Sequence, residues 1–452
     1  MLRSLGDSLT QVSRRYMPDP FVFAILLTFL IYVLALLFTP NDPFAIVRHW
    51  YQGFWELLAF AMQMVLILVT GYALAVTPVV RRGLRWLAAK PGSTAQAAWL
   101  VAFVAIALAW ISWGLGLIAG AILAREVAMS GRSRGVRIHY PLVAAAGYLG
   151  LGMWHGGLSG SAPLTVNTAK HFLEGKIGLI SLNQTVFTPY NLFVFVALLV
   201  VWPIVMAAMA PKAEDVEEAD FAEAGPAPEP VAPKSLGAAA YAEPVTVAQR
   251  LEDSRVLVGL IGLMGLSYIV WFFWTRGLDL NLDIVNFTFL ILGLILHGSP
   301  VAYVRALTDA VRTAGGIVLQ FPFYAGIMGI MKYSGLVAVI AGWFVAISNT
   351  QTYPFWTFIS AALVNLAVPS GGGQWAVQGP VMVEAAQRLT VSIPRTIMAV
   401  AYGDQLTNLL QPFWALPLLA VTGLKARQIM GYAAVAMIVG FVIMAIGLVF
   451  LP

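Results

Sequence analysis

The sequence predicts an all-α polytopic membrane protein made of two inverted repeats, each carrying a re-entrant helical hairpin and a broken helix. Three observations lead there. Hydrophobic residues make up 60% of the 452 residues and charged ones 10%, against about 25% charged in an average soluble domain, which excludes a soluble enzyme. Windows free of Asp, Glu, Lys and Arg recur at 21–41, 57–80, 91–124, 141–169, 177–211, 256–275, 284–304, 313–331, 333–383 and 428–452. About 20 helical residues cross a bilayer core, and runs this long and uniformly apolar do not alternate as barrel strands would. Finally, an offset of 257 lays Pro43–Arg48 on Pro300–Arg305, Gln63 on Gln320, Gly114 on Gly371, Gly116 on Gly373 and Ala119 on Ala376. At an offset of 254, Tyr148 falls on Tyr402 and Pro163-Leu164 on Pro417-Leu418. A register held through a structural break marks a duplicated unit.

Each element then follows in order. Arg14 and Arg15 precede the first apolar run, so the positive-inside rule puts the N-terminus in the cytoplasm; the segment is too polar for a cleaved signal peptide. Helices 20–38 and 55–76 return the chain to Arg81, Arg82, Arg85 and Lys90, where residues 77–90 read as an amphipathic surface piece. The block 97–124 is interrupted at Trp113-Gly-Leu-Gly116 and has basic residues on both flanks. Entry and exit on one side then fit the charge rule, so it reads as a re-entrant hairpin whose tip needs protein or a watery cavity around it. A helix at 140–163, broken at 156–163, and a helix at 186–209 complete the first repeat, 1–210. Residues 211–250, rich in Pro, Ala and Glu, read as a disordered cytoplasmic linker. An extra connecting helix at 251–276 flips the second repeat, 277–452, with its hairpin at 355–388 and broken helix at 395–421. The C-terminus is then external.

Candidate binding residues gather at the interruptions. Trp113, Gly114 and Gly116 occupy one hairpin tip, and Ser370, Gly371, Gly372 and Gly373 the equivalent tip, where glycine admits a ligand close to the backbone and helix ends present N–H groups. Close packing through small residues is the competing reading. Asn365, Gln374 and Trp375 are the next lining residues. Ser159 and Ser161 offer hydroxyls and freed carbonyls beside the first broken helix, and Asn408 offers its side-chain amide beside the second. Asp404 is the only acid between 396 and 424, and an intramembrane acid points to ion coupling; His155, before a Gly-Gly break, is a second ion-coupling candidate. No enzyme is expected. Gly157-Leu-Ser-Gly-Ser161 lacks the last glycine of a nucleophile elbow, and Gly114, Gly116 and Gly120 miss the dinucleotide spacing. There is no cysteine, and His49, His139, His171 and His297 show no metal spacing, so no cofactor is expected beyond a coupling proton or sodium ion.

The strings PDPFVFAILLTFL, GFWELLAFAMQM, LQFPFYAGIMGIM, NLAVPSGGGQWAVQGP and QPFWALP resemble the bacterial short-chain fatty acid transporter family, of the ion transporter superfamily, over 16–209 and 251–451. The resemblance implies uptake of short monocarboxylates such as acetoacetate and butyrate across the inner membrane. It also implies an elevator-type architecture, with a dimerising scaffold made of the early helices of each repeat and helix 255–274. In that family a glycine is commoner where His155 stands and a glutamate where Asp404 stands. The expected partners are a small carboxylate, the lipid bilayer and a second copy of the chain in a homodimer, with no nucleic acid. The absence of Lys and Arg from the site favours a singly charged substrate. A di- or tricarboxylate or amino-acyl carrier of the same fold, or an anion channel, is the alternative.

Overall fold

The computed structural model describes residues 4–5, 8–11, 15, 20–56, 58–169, 171–218, 246–277, 282–368 and 371–451. Among these the secondary structure is helical, with no strand. Five helices are long and apolar enough to cross a membrane, or up to seven when each of two bent pairs counts as one span.

The first half opens with α1 (Pro20–Phe38), which carries no charge. Next comes α2 (Pro43–Glu56), started by Asp42, whose carboxylate accepts the N–H groups of Phe44 and Ala45 at 2.9 Å each. α3 (Leu58–Ala75) follows α2 at a bend of 45°, where the sequence suggested one helix over 55–76. The basic surface piece is α4 (Pro78–Ala88), with Pro at its first position, where a missing N–H costs nothing. The hairpin consists of α5 (Thr94–Ile111) and α6 (Trp113–Ser133), separated by Ser112 alone, which is extended at φ −152° and ψ 123°. The break thus precedes the expected tip, and Trp113–Gly116 are helical. The reason is packing: a Cβ on Gly114 would lie 2.8 Å from the Ile67 carbonyl oxygen, and one on Gly116 2.5 Å from Ala109.

The first broken span is α7 (Tyr140–Tyr148), two short 3-10 turns at Leu149–Gly152 and Trp154–Gly156, a turn at 157–160, and α8 (Ser161–Val166). Its break starts seven residues earlier than expected and closes before Pro163, which sits in the first turn of α8, a position proline tolerates. α9 (Pro189–Ala208) completes the half. The expected linker 211–250 is more ordered at its start. Main-chain N–H and C=O of Glu217 bond His139 Nδ1 and Tyr140 N at 2.9 Å each, and Arg137 pairs with Glu218 at 2.8 Å. At its far end Val247–Glu252 are helical with a capping box at Thr246; residues 219–245 lie outside the described residues.

In the second half, α10 (Arg255–Arg276) buries Val258, Gly262, Gly265, Ile269 and Phe272, a stripe with helical spacing. It rests on Ile291 and Ile295 of α11 (Leu282–His297). α12 (Pro300–Tyr333) starts 13 residues before the expected helix 313–331, launched by Ser299, which accepts the N–H of Ala302. Charges at Arg305, Asp309 and Arg312 end the apolar window but not the helix, because their side of it is exposed. α2 and α12 cross where Gly53 meets Gly329, and Lys332 reaches Glu56 at 2.9 Å. Then α13 (Leu336–Ala346), the helix pair α14 (Tyr353–Ala367) and α15 (Gly371–Arg388), the broken span α16 (Ile393–Thr407) and α17 (Pro412–Thr422), and α18 (Ala426–Phe450) follow. The order of short helix, helix pair, broken helix and final helix is therefore the same in both halves.

Candidate functional site

The site forms where the break after α7 meets the break after α16 and the start of α15. Glycine sets the first break: a Cβ on Gly157 or Gly160 would collide with the carbonyl oxygens of Trp110 and His155. The 3-10 turn Asn408–Leu410 and the extended Gln411 make the second. Freed carbonyls at membrane depth need partners. Tyr148 donates its hydroxyl to the carbonyls of Asn408 at 2.7 Å and Gln411 at 2.9 Å. Asn365 directs its amide to Asp404 O at 2.7 Å, Thr407 Oγ1 at 2.8 Å and Asn408 Oδ1 at 2.9 Å. On the other side Gln405 accepts the N–H of Gly156 at 2.9 Å, and Asn191 donates to the Gly156 carbonyl at 2.8 Å while accepting from Tyr402 at 2.8 Å.

At the centre His155 and Asp404 are both fully buried, with Nδ1 2.9 Å from Oδ1. The N–H of Ala162 donates to His155 Nε2 at 2.9 Å. A backbone N–H can only donate, so Nε2 is the acceptor, Nδ1 carries the hydrogen, and the imidazole donates to the Asp404 carboxylate. Asp404 Oδ2 is buried with no partner. Such a vacancy is uncommon, since buried polar atoms are nearly always satisfied. Among the described residues no Lys or Arg pairs with Asp404, and no group of three or more His, Asp or Glu could hold a metal ion.

Aromatic rings close the space around this pair. Trp154 stacks on His155 with centroids 4.5 Å apart at 12°, and Trp113 stands 6.3 Å from Trp154 and 5.4 Å from Trp414. Gly371 presses onto the pair from α15: a Cβ there would lie 2.6 Å from His155 Cε1 and 2.8 Å from Trp154 Cη2. The indole N–H groups of Trp154 and Trp414, the hydroxyls of Ser112 and Ser161, and the amide nitrogen of Asn408 are buried and unpartnered. The junction thus combines apolar rings with unused buried donors and one unused carboxylate oxygen.

The structure thus brings Trp113, His155, Gly371 and Asp404 together, with Ser161 and Asn408 at the same breaks and Asn365 reaching the second of them from α14. Ser159 accepts the N–H of Trp113 at 3.0 Å and so ties the first hairpin to the first break. Gly372 and Gly373 form the first turn of α15 with Gly371, whereas Ser370 lies outside the described residues. Gly114 and Gly116 are taken up by contacts with α3 and α5. Gln374 turns back to the Ala361 carbonyl and Gln378, both at 2.8 Å, and Trp375 packs with Ala361, Met382 and Val400 in a separate apolar cluster. Trp154 and Trp414 were not singled out from the sequence. Their signal is the polar handle of a tryptophan beside a helix break, which needs a partner when buried.

The family model for the short chain fatty acid transporter matches residues 1–451. A protein of Escherichia coli (strain K12), provisionally named a short-chain fatty acid transporter, is 43% identical over 457 residues, covering 99% of each chain. One of Haemophilus influenzae with the same provisional name is 41% identical over 458 residues, covering 100% of each. Among solved structures, Neisseria gonorrhoeae MtrF, described within a class of antimetabolite efflux pumps, aligns over 97% of both chains at 15% identity with a TM-score of 0.49. The Alcanivorax borkumensis YdaH transporter aligns over 95% of this chain and 98% of that one, at 16% identity and a TM-score of 0.48.

Proposed function

The chain belongs to the short-chain fatty acid transporter family, and on that premise we propose that it is a secondary active carrier taking up small monocarboxylates, with a proton or sodium ion moving alongside. The observation that carries the coupling is the fully buried His155–Asp404 pair with its unpartnered Oδ2. A proton arriving at this pair finds His155 Nε2 already engaged by Ala162, so Oδ2 is the open place for it; a sodium ion would use the same oxygen as a ligand. The acyl tail lies among Trp113, Trp154 and Trp414, and the carboxylate takes the indole N–H groups and the backbone N–H groups of Gly371 and Gly372. Loading the cation offsets the negative charge that two carboxylates would otherwise put in one dry site. Binding of one therefore favours binding of the other.

The two halves are taken as inverted repeats, with the helix pairs and broken spans moving against α1, α2, α3, α10, α11 and α12 along the normal of the inner membrane. The deciding experiment is uptake of labelled butyrate and acetoacetate by proteoliposomes under an imposed pH or sodium gradient, with protein-free liposomes subtracting passive entry of the neutral acid. Saturable accumulation driven by one gradient supports the reading and identifies the ion. Uptake of larger carboxylates alone turns it toward the di- and tricarboxylate alternative, and conductance without accumulation toward a channel.

A further inference from the structure

A cavity of about 790 Å³ opens beside the start of α9, the start of α16 and the end of α18. Its polar wall includes Gln184, Thr188, Thr350, Gln351 and Ser392, and among its described lining residues Arg395 alone carries a formal charge. The guanidinium is held in place: Nη2 donates to the Leu451 carbonyl at 2.7 Å, and its carbon stands 5.1 Å over the Tyr190 ring. No acid neutralises it among the described residues. Tyr190, 4% exposed, contributes a buried hydroxyl with no partner to the same wall. Thr390, also in the lining, has φ 55°, the one positive φ among the described non-glycine residues. A β-branched residue there is strained, and such strain gathers at functional positions. The cavity lies one residue from a support of the central site, since Asn191, next to Tyr190, bonds Gly156 and Tyr402, two residues from Asp404.

We infer that this cavity is a capture site for small carboxylates, in which Arg395 collects the anion before it reaches the His155–Asp404 centre. Its volume far exceeds that of a four-carbon acid, so the anion keeps most of its water and selection is left to the inner site. A lone fixed cation in a concave wall concentrates anions and raises the rate at which they arrive. The basic-loop rule places this face outside, where uptake begins. The identity of the cargo rests on the carrier reading above; the anion site does not.

Two measurements test it on the full-length protein. In detergent, phenylglyoxal modification of Arg395, followed by mass spectrometry, is expected to slow in butyrate relative to chloride at equal ionic strength, while modification of exposed Arg132 is unchanged. Equal rates in the two salts overturn the site. Slowing by phosphatidylglycerol micelles and not by butyrate assigns it to a lipid headgroup and overturns it as well. In proteoliposomes, Gln351→Glu at the exposed rim is expected to raise KM about threefold and Gln351→Lys to lower it by a similar factor, with kcat unchanged. Protection without any KM response overturns the place of the site on the transport path. If the wild type transports no carboxylate, the carrier reading fails while the protection assay still decides the anion site.

Discussion

Asp404 is fully buried, bonded to His155 on one oxygen and to nothing on the other. Its neutral isostere keeps the shape and removes the charge, so Asp404→Asn is expected to abolish gradient-driven accumulation of butyrate in proteoliposomes. Full accumulation by that variant would remove Asp404 from coupling. His155→Ala leaves a buried carboxylate with neither oxygen paired, a loss of about 3 kcal/mol, readable as a lower midpoint of thermal unfolding in detergent. Gly371→Ala tests the site by geometry: its methyl would sit 2.6 Å from His155 Cε1, so transport should fall at least tenfold. Trp414→Phe keeps the ring and deletes the unused N–H. The expected result is a raised KM with kcat retained; an unchanged KM would take the indole out of carboxylate binding.

The helices divide by what their breaks and glycines do. Breaks at 149–160 and 408–411 are held open by side chains from other elements, namely Tyr148, Asn365, Gln405 and Asn191. Each irregular segment is therefore satisfied within protein, as membrane depth requires. Elsewhere glycine only brings helices close. At the crossing of α2 and α12, a Cβ on Gly53 would lie 2.6 Å from Gly329 Cα, backbone that cannot move aside. Gly53→Val should cost about 1–3 kcal/mol by overpacking, measured as a reduced unfolding midpoint and a smaller folded fraction on size-exclusion chromatography.

Across the whole molecule, α17 meets α12 through the rings of Phe413 and Tyr324, centroids 5.0 Å apart, while α2 meets α12 through Glu56 and Lys332 at 2.9 Å. If the hairpins and broken spans travel against the early helices, the first contact changes during transport and the second does not. The chain has no cysteine, so engineered pairs react without background. A short bis-maleimide bridge in Tyr324→Cys/Phe413→Cys is expected to stop uptake, and the same bridge in Glu56→Cys/Lys332→Cys to leave it near wild type. Unimpaired uptake through the first bridge would count against relative motion of these two bodies.

The apolar helical class, the helix order and the two interrupted helices were legible in the amino-acid sequence, because uninterrupted apolar length and the charges that end it are local properties of the chain. The same rule misjudged α12, where charges on one side of a helix hide its first 13 residues, and misplaced the first hairpin's break, where glycine serves packing and Ser112 turns the chain. It also left residues 212–218 as linker, since their hold on His139, Tyr140 and Arg137 comes from main-chain groups that composition does not reveal. Asp404 stood out as a lone acid in an apolar stretch. That it faces His155, 249 positions earlier, and that Trp154, Trp414 and Gly371 close around them, depends on how two distant breaks dock, and no residue spacing encodes a contact between segments so far apart. Tertiary structure alone decided that pairing, because a buried charge chooses its partner by position in space and not along the chain.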